Sequence, residues 1–133
     1  MIVVDASAVL EVLLQTNVAA QVEARLFGGD TLHAPHVLDL EVAQVLRRYE
    51  RAGELSARRG REALDDLEAF AIERYPHHLF LPRIWSLRVN ATAYDACYLA
   101  LAEALGAPLL TTDSRLAGVP GHDAHVELAA PVR

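Results

Sequence analysis

"YDACYLALAEALGAPLLTTDSRL", residues 94–116, places Asp95 where an apolar helix begins and Asp113 where an apolar strand ends. The pattern predicts a helix from Thr92 to Leu105, a stop at Gly106, and a short strand from Pro108 to Thr112. Working outward, further short apolar runs bounded by turn residues predict strands at 2–5, 31–35, 79–82 and 124–128. Helical stretches lie between them, at 6–14, 18–27, 36–51, 56–74 and 83–89. Gly53 ends the third of these much as Gly106 ends the last. Strands alternating with helices mean βαβ units. The expected fold is therefore α/β, three layers with a central parallel sheet of about five strands.

The chain has 133 residues, a length that suits one domain, and no linker, repeat or low-complexity tract divides it. Every apolar run is far shorter than the roughly 20 residues that span a bilayer, so a soluble protein without membrane contact is expected. The opening Met1-Ile2-Val3-Val4-Asp5 has no basic segment ahead of its apolar residues, which predicts a cytoplasmic location. Cys97, the single cysteine, has no disulfide or thiolate-metal partner and reads as a small helix residue.

The net charge is −6, and all twelve basic residues are arginine. An acidic balance argues against a protein that coats nucleic acid through a broad basic field. It does not exclude a nucleic-acid enzyme whose acids gather around cations. Six arginines, Arg47, Arg48, Arg51, Arg58, Arg59 and Arg61, fall within fifteen residues. They read as a solvated helical surface, with a phosphate-contacting patch as the alternative.

In an open parallel sheet, ligands collect outside the carboxyl ends of the strands, where the strand order reverses. Asp5 ends the first strand and Asp113 follows the fourth, so both should emerge at that edge. On the 36–51 helix, Leu38, Val42, Val45, Leu46 and Tyr49 form an apolar face, and Glu41 projects at its border. Asp95 lies beside the stripe of Tyr94, Tyr98, Leu101 and Leu105 and should lean toward the sheet. Each acid also has a purely structural reading. Asp5 and Asp113 could be N-caps, Asp95 could favour its helix dipole, and Glu41 could pair with Arg48. Together, however, four carboxylates at one place would repel one another and call for a cation. Oxygen ligands without histidine or cysteine at ligand spacing fit Mg²⁺ or Mn²⁺ better than zinc. His77, His78, His122 and His125 read as surface or turn residues.

The set of fragments resembles the PIN domain, and within it the VapC-type ribonuclease toxins. "MIVVDASAVLEVLL" is similar to the family's opening strand and first acid, here Asp5. "PHVLDLEVAQVL" is similar to the helix with the second, Glu41, and "TAYDACYLALAEALGAPLLTTDSRLAG" to the segment with the third and fourth, Asp95 and Asp113. Ser7 and Thr111 match the small hydroxyl positions that accompany the acids, where they would orient carboxylates or metal-bound waters. The resemblance implies an endoribonuclease dependent on Mg²⁺ or Mn²⁺ that cleaves an RNA substrate. It also implies a cognate antitoxin and a homodimer. Between Arg51 and Asn90 the match is only one of general helical character. A phosphotransfer or non-catalytic interaction module on a flavodoxin-like fold is the alternative. Against phosphotransfer, such modules generally use a lysine near the phosphoryl group, and this chain has none.

Overall fold

A computed structural model describes residues 1–129. Its sheet has five strands, β1 (Ile2–Val4), β2 (Leu32–Pro35), β3 (Ile72–Tyr75), β4 (Leu109–Thr111) and β5 (Val126–Leu128). They run in the order β3-β2-β1-β4-β5, and every neighbouring pair is parallel. Seven α-helices flank the sheet among the described residues: α1 (Ala6–Leu13), α2 (Ala19–Leu26), α3 (Val37–Arg51), α4 (Ala57–Ala69), α5 (Leu81–Ser86), α6 (Ala93–Leu105) and α7 (Ser114–Ala117). This is the three-layer α/β/α architecture that the alternating pattern predicts.

The order places β1 at the centre, with Val3 registered against His33 of β2 and Leu109 of β4. Ile2, Val3 and Val4 have no exposed surface, as befits a strand covered on both faces. The chain winds outward from β1 to β3, then returns to lay β4 on the other side of β1. The reversal falls at the carboxyl ends of β1 and β4, the edge where open parallel sheets place their ligand sites. Asp5 immediately follows β1, and Asp113 sits two residues beyond β4.

Helix α6 packs on β1 and β2, and all its residues from Asp95 to Ala102 are buried. A helix apolar around its whole circumference belongs in the interior. Thr92 caps it by accepting the Asp95 N–H at 3.1 Å. Gly106 closes it in the left-handed conformation, φ 62°, where a Cβ would be strained. Tyr94, expected on the apolar stripe, is exposed.

Two expectations are corrected. The third strand lies at Ile72–Tyr75, not at 79–82, and the helix expected through residue 74 ends at Ala69. Residues 79–82 instead join a 3-10 turn, His77–Phe80, to the start of α5. Pro82 occupies the first turn of that helix, where no backbone donor is needed, and Leu79 and Leu81 are exposed. The true strand is an edge strand bearing Glu73 and Arg74, charges that keep an open sheet edge from pairing with another chain. Arg74 is tied down by a two-bond fork to Asp39 of α3, at 2.7 and 2.8 Å. Helix α5 also begins and ends earlier than expected, and α7 was not foreseen.

Candidate active site

At this edge Asp5 is nearly sealed from solvent, 7% exposed. It stands at the N-cap position of α1, yet its carboxylate makes no cap hydrogen bond. Its Oδ2 instead accepts from Ser7 Oγ at 2.7 Å and from Thr111 Oγ1 at 2.8 Å. With their hydrogens so committed, the same hydroxyl oxygens accept backbone N–H groups. Ser7 takes Thr112 and Thr111 takes Asp113, both at 3.0 Å. Two small hydroxyls thus stitch the end of β1 to the end of β4 and fix the direction of one carboxylate. Burial raises the Asp5 pKa above the ordinary aspartate value; the two hydroxyls oppose the rise, and the nearby charge of Asp95 adds to it.

Glu41 enters from α3 and receives a hydrogen bond from Tyr98 Oη of α6 at 2.7 Å. Burial is the main cause that raises its pKa, the Tyr98 bond lowers it, and Asp5 and Asp95 raise it further. The phenol of Tyr98 has no exposed surface, and its own pKa lies well above the usual tyrosine value. It is a permanent donor. The alternative pairing of Glu41 with Arg48 is not what holds this carboxylate. Arg47 and Arg48 instead line, with Val37, Leu40, Val45 and Tyr94, an open and largely apolar groove of about 630 Å³ that reaches Glu41.

Asp95 is 8% exposed, and its Oδ2 is buried without a hydrogen-bond partner. Arg115 Nη1 lies 3.0 Å from that oxygen, close enough for charge attraction but without the alignment of a hydrogen bond. Arg115 Nη2 also donates to Asp113 Oδ2 at 3.1 Å. One guanidinium therefore bridges two of the acids. Asp113 is an N-cap as well, because its Oδ1 accepts the Arg115 N–H at 2.9 Å. The capping reading holds for one of its oxygens, while the other is held by the Arg115 side chain.

The four acids come from four separate segments to one edge of the sheet. Among the described residues, no three carboxylates close into a preformed cage around an ion. The donor set nevertheless fits Mg²⁺ or Mn²⁺. Mg²⁺ takes one or two carboxylates and keeps several waters, the oxygens are all hard, and the Oδ2 of Asp95, buried without a hydrogen bond, already attracts a positive charge.

Other residues resolve more simply. Arg58 and Arg61 form exposed ion pairs with Glu62 and Asp65 one helical turn away. Arg59 donates to the Leu13 carbonyl and closes the C-terminus of α1. Cys97 is buried, and burial pushes its thiol up to about 11, which suits an inert thiol. His122 accepts the Ala124 N–H, a turn role. Two residues at the site were not singled out in the sequence. For Tyr98 the available signal was a tyrosine in an otherwise apolar helix, since a buried phenol needs a partner. For Arg115 it was a cation two residues beyond an acid at a strand end.

Comparison with known proteins agrees with this fold. The PIN domain family model matches residues 2–121, and the chain belongs to that family. The ribonuclease VapC9 of Mycobacterium tuberculosis is 47% identical over 116 residues, covering 87% of this chain and 88% of the relative. VapC1 of the same organism is 45% identical over 130 residues, covering 95% and 96%. Among solved structures, the VapBC2 complex of Rickettsia felis bound to a promoter DNA fragment superposes with TM-score 0.69 at 12% identity, covering 96% and 98%. VapC20 of M. tuberculosis, described as a sarcin-ricin loop cleaving toxin, gives 0.68 at 15%, covering 90% and 97%. At these identities the structural likeness speaks for the fold alone. No helix among the described residues is long and apolar enough to cross a membrane.

Proposed function

We propose that the protein is a metal-dependent endoribonuclease, the toxin of a type II toxin–antitoxin pair, which hydrolyses RNA phosphodiester bonds at Asp5, Glu41, Asp95 and Asp113. The observation that carries this reading is the convergence of those acids at the strand-order reversal, with a buried carboxylate oxygen of Asp95 that makes no hydrogen bond and meets the charge of Arg115 instead. High identity to relatives named as VapC ribonucleases supports it.

A divalent cation bound here would activate water near neutral pH and stabilise charge building on the phosphate. Asp5, Asp95 and Asp113 are the residues that would hold it, directly or through its bound waters. Ser7 and Thr111 keep the Asp5 carboxylate in one orientation, so little ordering remains to be done on binding. Glu41, with its raised pKa and its fixed Tyr98 donor, is placed to accept a proton from an attacking water. The Leu40–Tyr94 groove offers an apolar seat beside an acidic edge, and it suits an antitoxin segment with an apolar face and an arginine. Exposed Leu79 and Leu81 suit a homodimer contact.

The deciding assay is cleavage of a panel of structured RNAs by pure protein in Mg²⁺ or Mn²⁺. Activity should stop on addition of EDTA; cleavage that continues in chelator refutes the mechanism. Co-expression of the neighbouring open reading frame should relieve toxicity, and equal toxicity with and without each neighbour refutes the toxin–antitoxin role.

A further inference from the structure

Arg115 bridges two of the four acids, and the mechanism above has no use for it. It lies on the four-residue helix α7, and its side chain is 66% exposed, whereas that of Asp95 is 12% exposed and that of Asp113 is 32%. The guanidinium is thus a largely solvated cation set against a carboxylate that is nearly sealed. A buried carboxylate with no counter-charge would be costly to the fold, so the pair answers a need of the metal-free protein. A cation and a guanidinium repel each other and cannot both occupy Asp95 Oδ2. The pair is cheap to break because its arginine end is solvated. A long side chain can also leave without any movement of the backbone.

The place to which it would go is adjacent. Arg115 already lines an open groove of about 480 Å³ together with Arg88, Asn90, Thr92, Val119 and Pro120. Arg88 stacks over the exposed Trp85 ring at 4.5 Å. Two arginines and two neutral polar side chains in one groove beside four acids are suited to a phosphodiester backbone, since the guanidinium fork matches phosphate oxygens.

We propose that Arg115 is the built-in counterion of the site: it pairs Asp95 and Asp113 when no divalent cation is bound, exchanges with that cation, and turns into the Arg88–Thr92 groove to take a phosphate of the substrate strand. The inference rests on the metal-dependent ribonuclease reading and deepens it. Arg115 is then a substrate-binding residue whose resting partner is the metal site itself.

The test compares wild type with Arg115→Gln and Arg115→Lys. Calorimetric titration with Mn²⁺ alone, without RNA and at low salt, should show roughly three- to tenfold tighter binding to Arg115→Gln, the span expected from losing two partly exposed ion pairs. Metal-free melting of Arg115→Gln should fall by roughly 2–6 °C, Arg115→Lys should recover most of that loss, and Mn²⁺-saturated melting should be the same in all three. In cleavage, Arg115→Gln should raise the KM for RNA more than it lowers kcat. The slope of log KM against log salt should flatten by about one phosphate contact. Unchanged Mn²⁺ affinity in Arg115→Gln overturns the exchange, and an unchanged KM with an unchanged salt slope overturns the hand-over to phosphate. If wild type binds no Mn²⁺ and cleaves nothing, the ribonuclease reading fails. The metal-free melting series still decides the counterion, and equal melting of wild type and Arg115→Gln refutes it.

Discussion

Replacing Tyr98 by Phe removes one oxygen from the interior and leaves the ring in place. The hydroxyl donates to Glu41 at 2.7 Å from a residue with no exposed surface, so no water can readily replace it. A hydrogen bond to a charged group is worth about 1.5–3 kcal/mol, and one to a neutral group about 0.5–1.5. The lower end applies because Glu41 is only half buried and can recover some solvation. Metal-free stability near pH 7 should therefore fall by about 1.5 kcal/mol.

The pH dependence carries the sharper test. Folded Glu41 has a pKa raised above 4.5, chiefly by burial, so its proton is held more tightly in the folded chain than in the unfolded one. Its contribution to stability is fully present below pH 4.5 and is lost as pH rises through the folded value. The Tyr98 hydroxyl limits that loss by stabilising the ionised form. The variant should thus differ from wild type by about 1.5 kcal/mol near pH 7 and by only about 0.5 kcal/mol near pH 4, where a neutral carboxyl is all that the phenol contacts. Urea unfolding in EDTA at both pH values measures this. In cleavage assays the acid limb of the pH–rate profile should move to higher pH, because the donor that lowers the Glu41 pKa is gone. An equal loss of stability at both pH values, or none near pH 7, would refute the charge-assisted bond; an unmoved acid limb would refute a proton-accepting Glu41.

Asp5→Asn should leave metal-free stability near pH 7 level or higher, because burial raises the Asp5 pKa above 3.8 and its ionised form costs stability above that folded value. Thermal melts in EDTA from pH 4 to 7 should show wild type losing stability with rising pH more than the variant, while cleavage collapses. Thr111→Val takes a donor from Asp5 and leaves the Asp113 N–H without its acceptor; it should destabilise by about 2 kcal/mol, measured by urea unfolding. Asp113→Asn keeps the cap on Arg115 N–H and forfeits a partly exposed ion pair, so metal-free stability should change by less than about 1 kcal/mol. Its RNA cleavage should fall by at least about 100-fold if the charge serves the metal, and near-normal cleavage would show that Asp113 is only a cap.

Much of this molecule was legible in its residues. Val3, Leu109 and Leu110 sit in short apolar runs between helical stretches, a local period that fixes parallel strands and puts Asp5 and Asp113 at one sheet edge. Helix phase also set Glu41 at the border of a buried face, where α3 holds it. The order and spacing of the acids, with Ser7 and Thr111 beside them, carried the family resemblance.

What the pattern could not supply depends on partners remote in the chain. Ile72–Tyr75 becomes a strand because it pairs with β2 and Arg74 reaches Asp39, whereas its charged residues give no strand period of their own. Leu79–Pro82 has a strand's composition, but Pro82 serves better at a helix start and its leucines stay in water. Tyr98 reads as core until α3 brings Glu41 to its hydroxyl, and Arg115 reads as surface until α6 brings Asp95 beside it. Periodicity is a property of neighbours along the chain, so it determines elements and their edges. The protonation, orientation and counter-charge of a buried carboxylate are set by atoms that only the folded chain brings within a few ångströms.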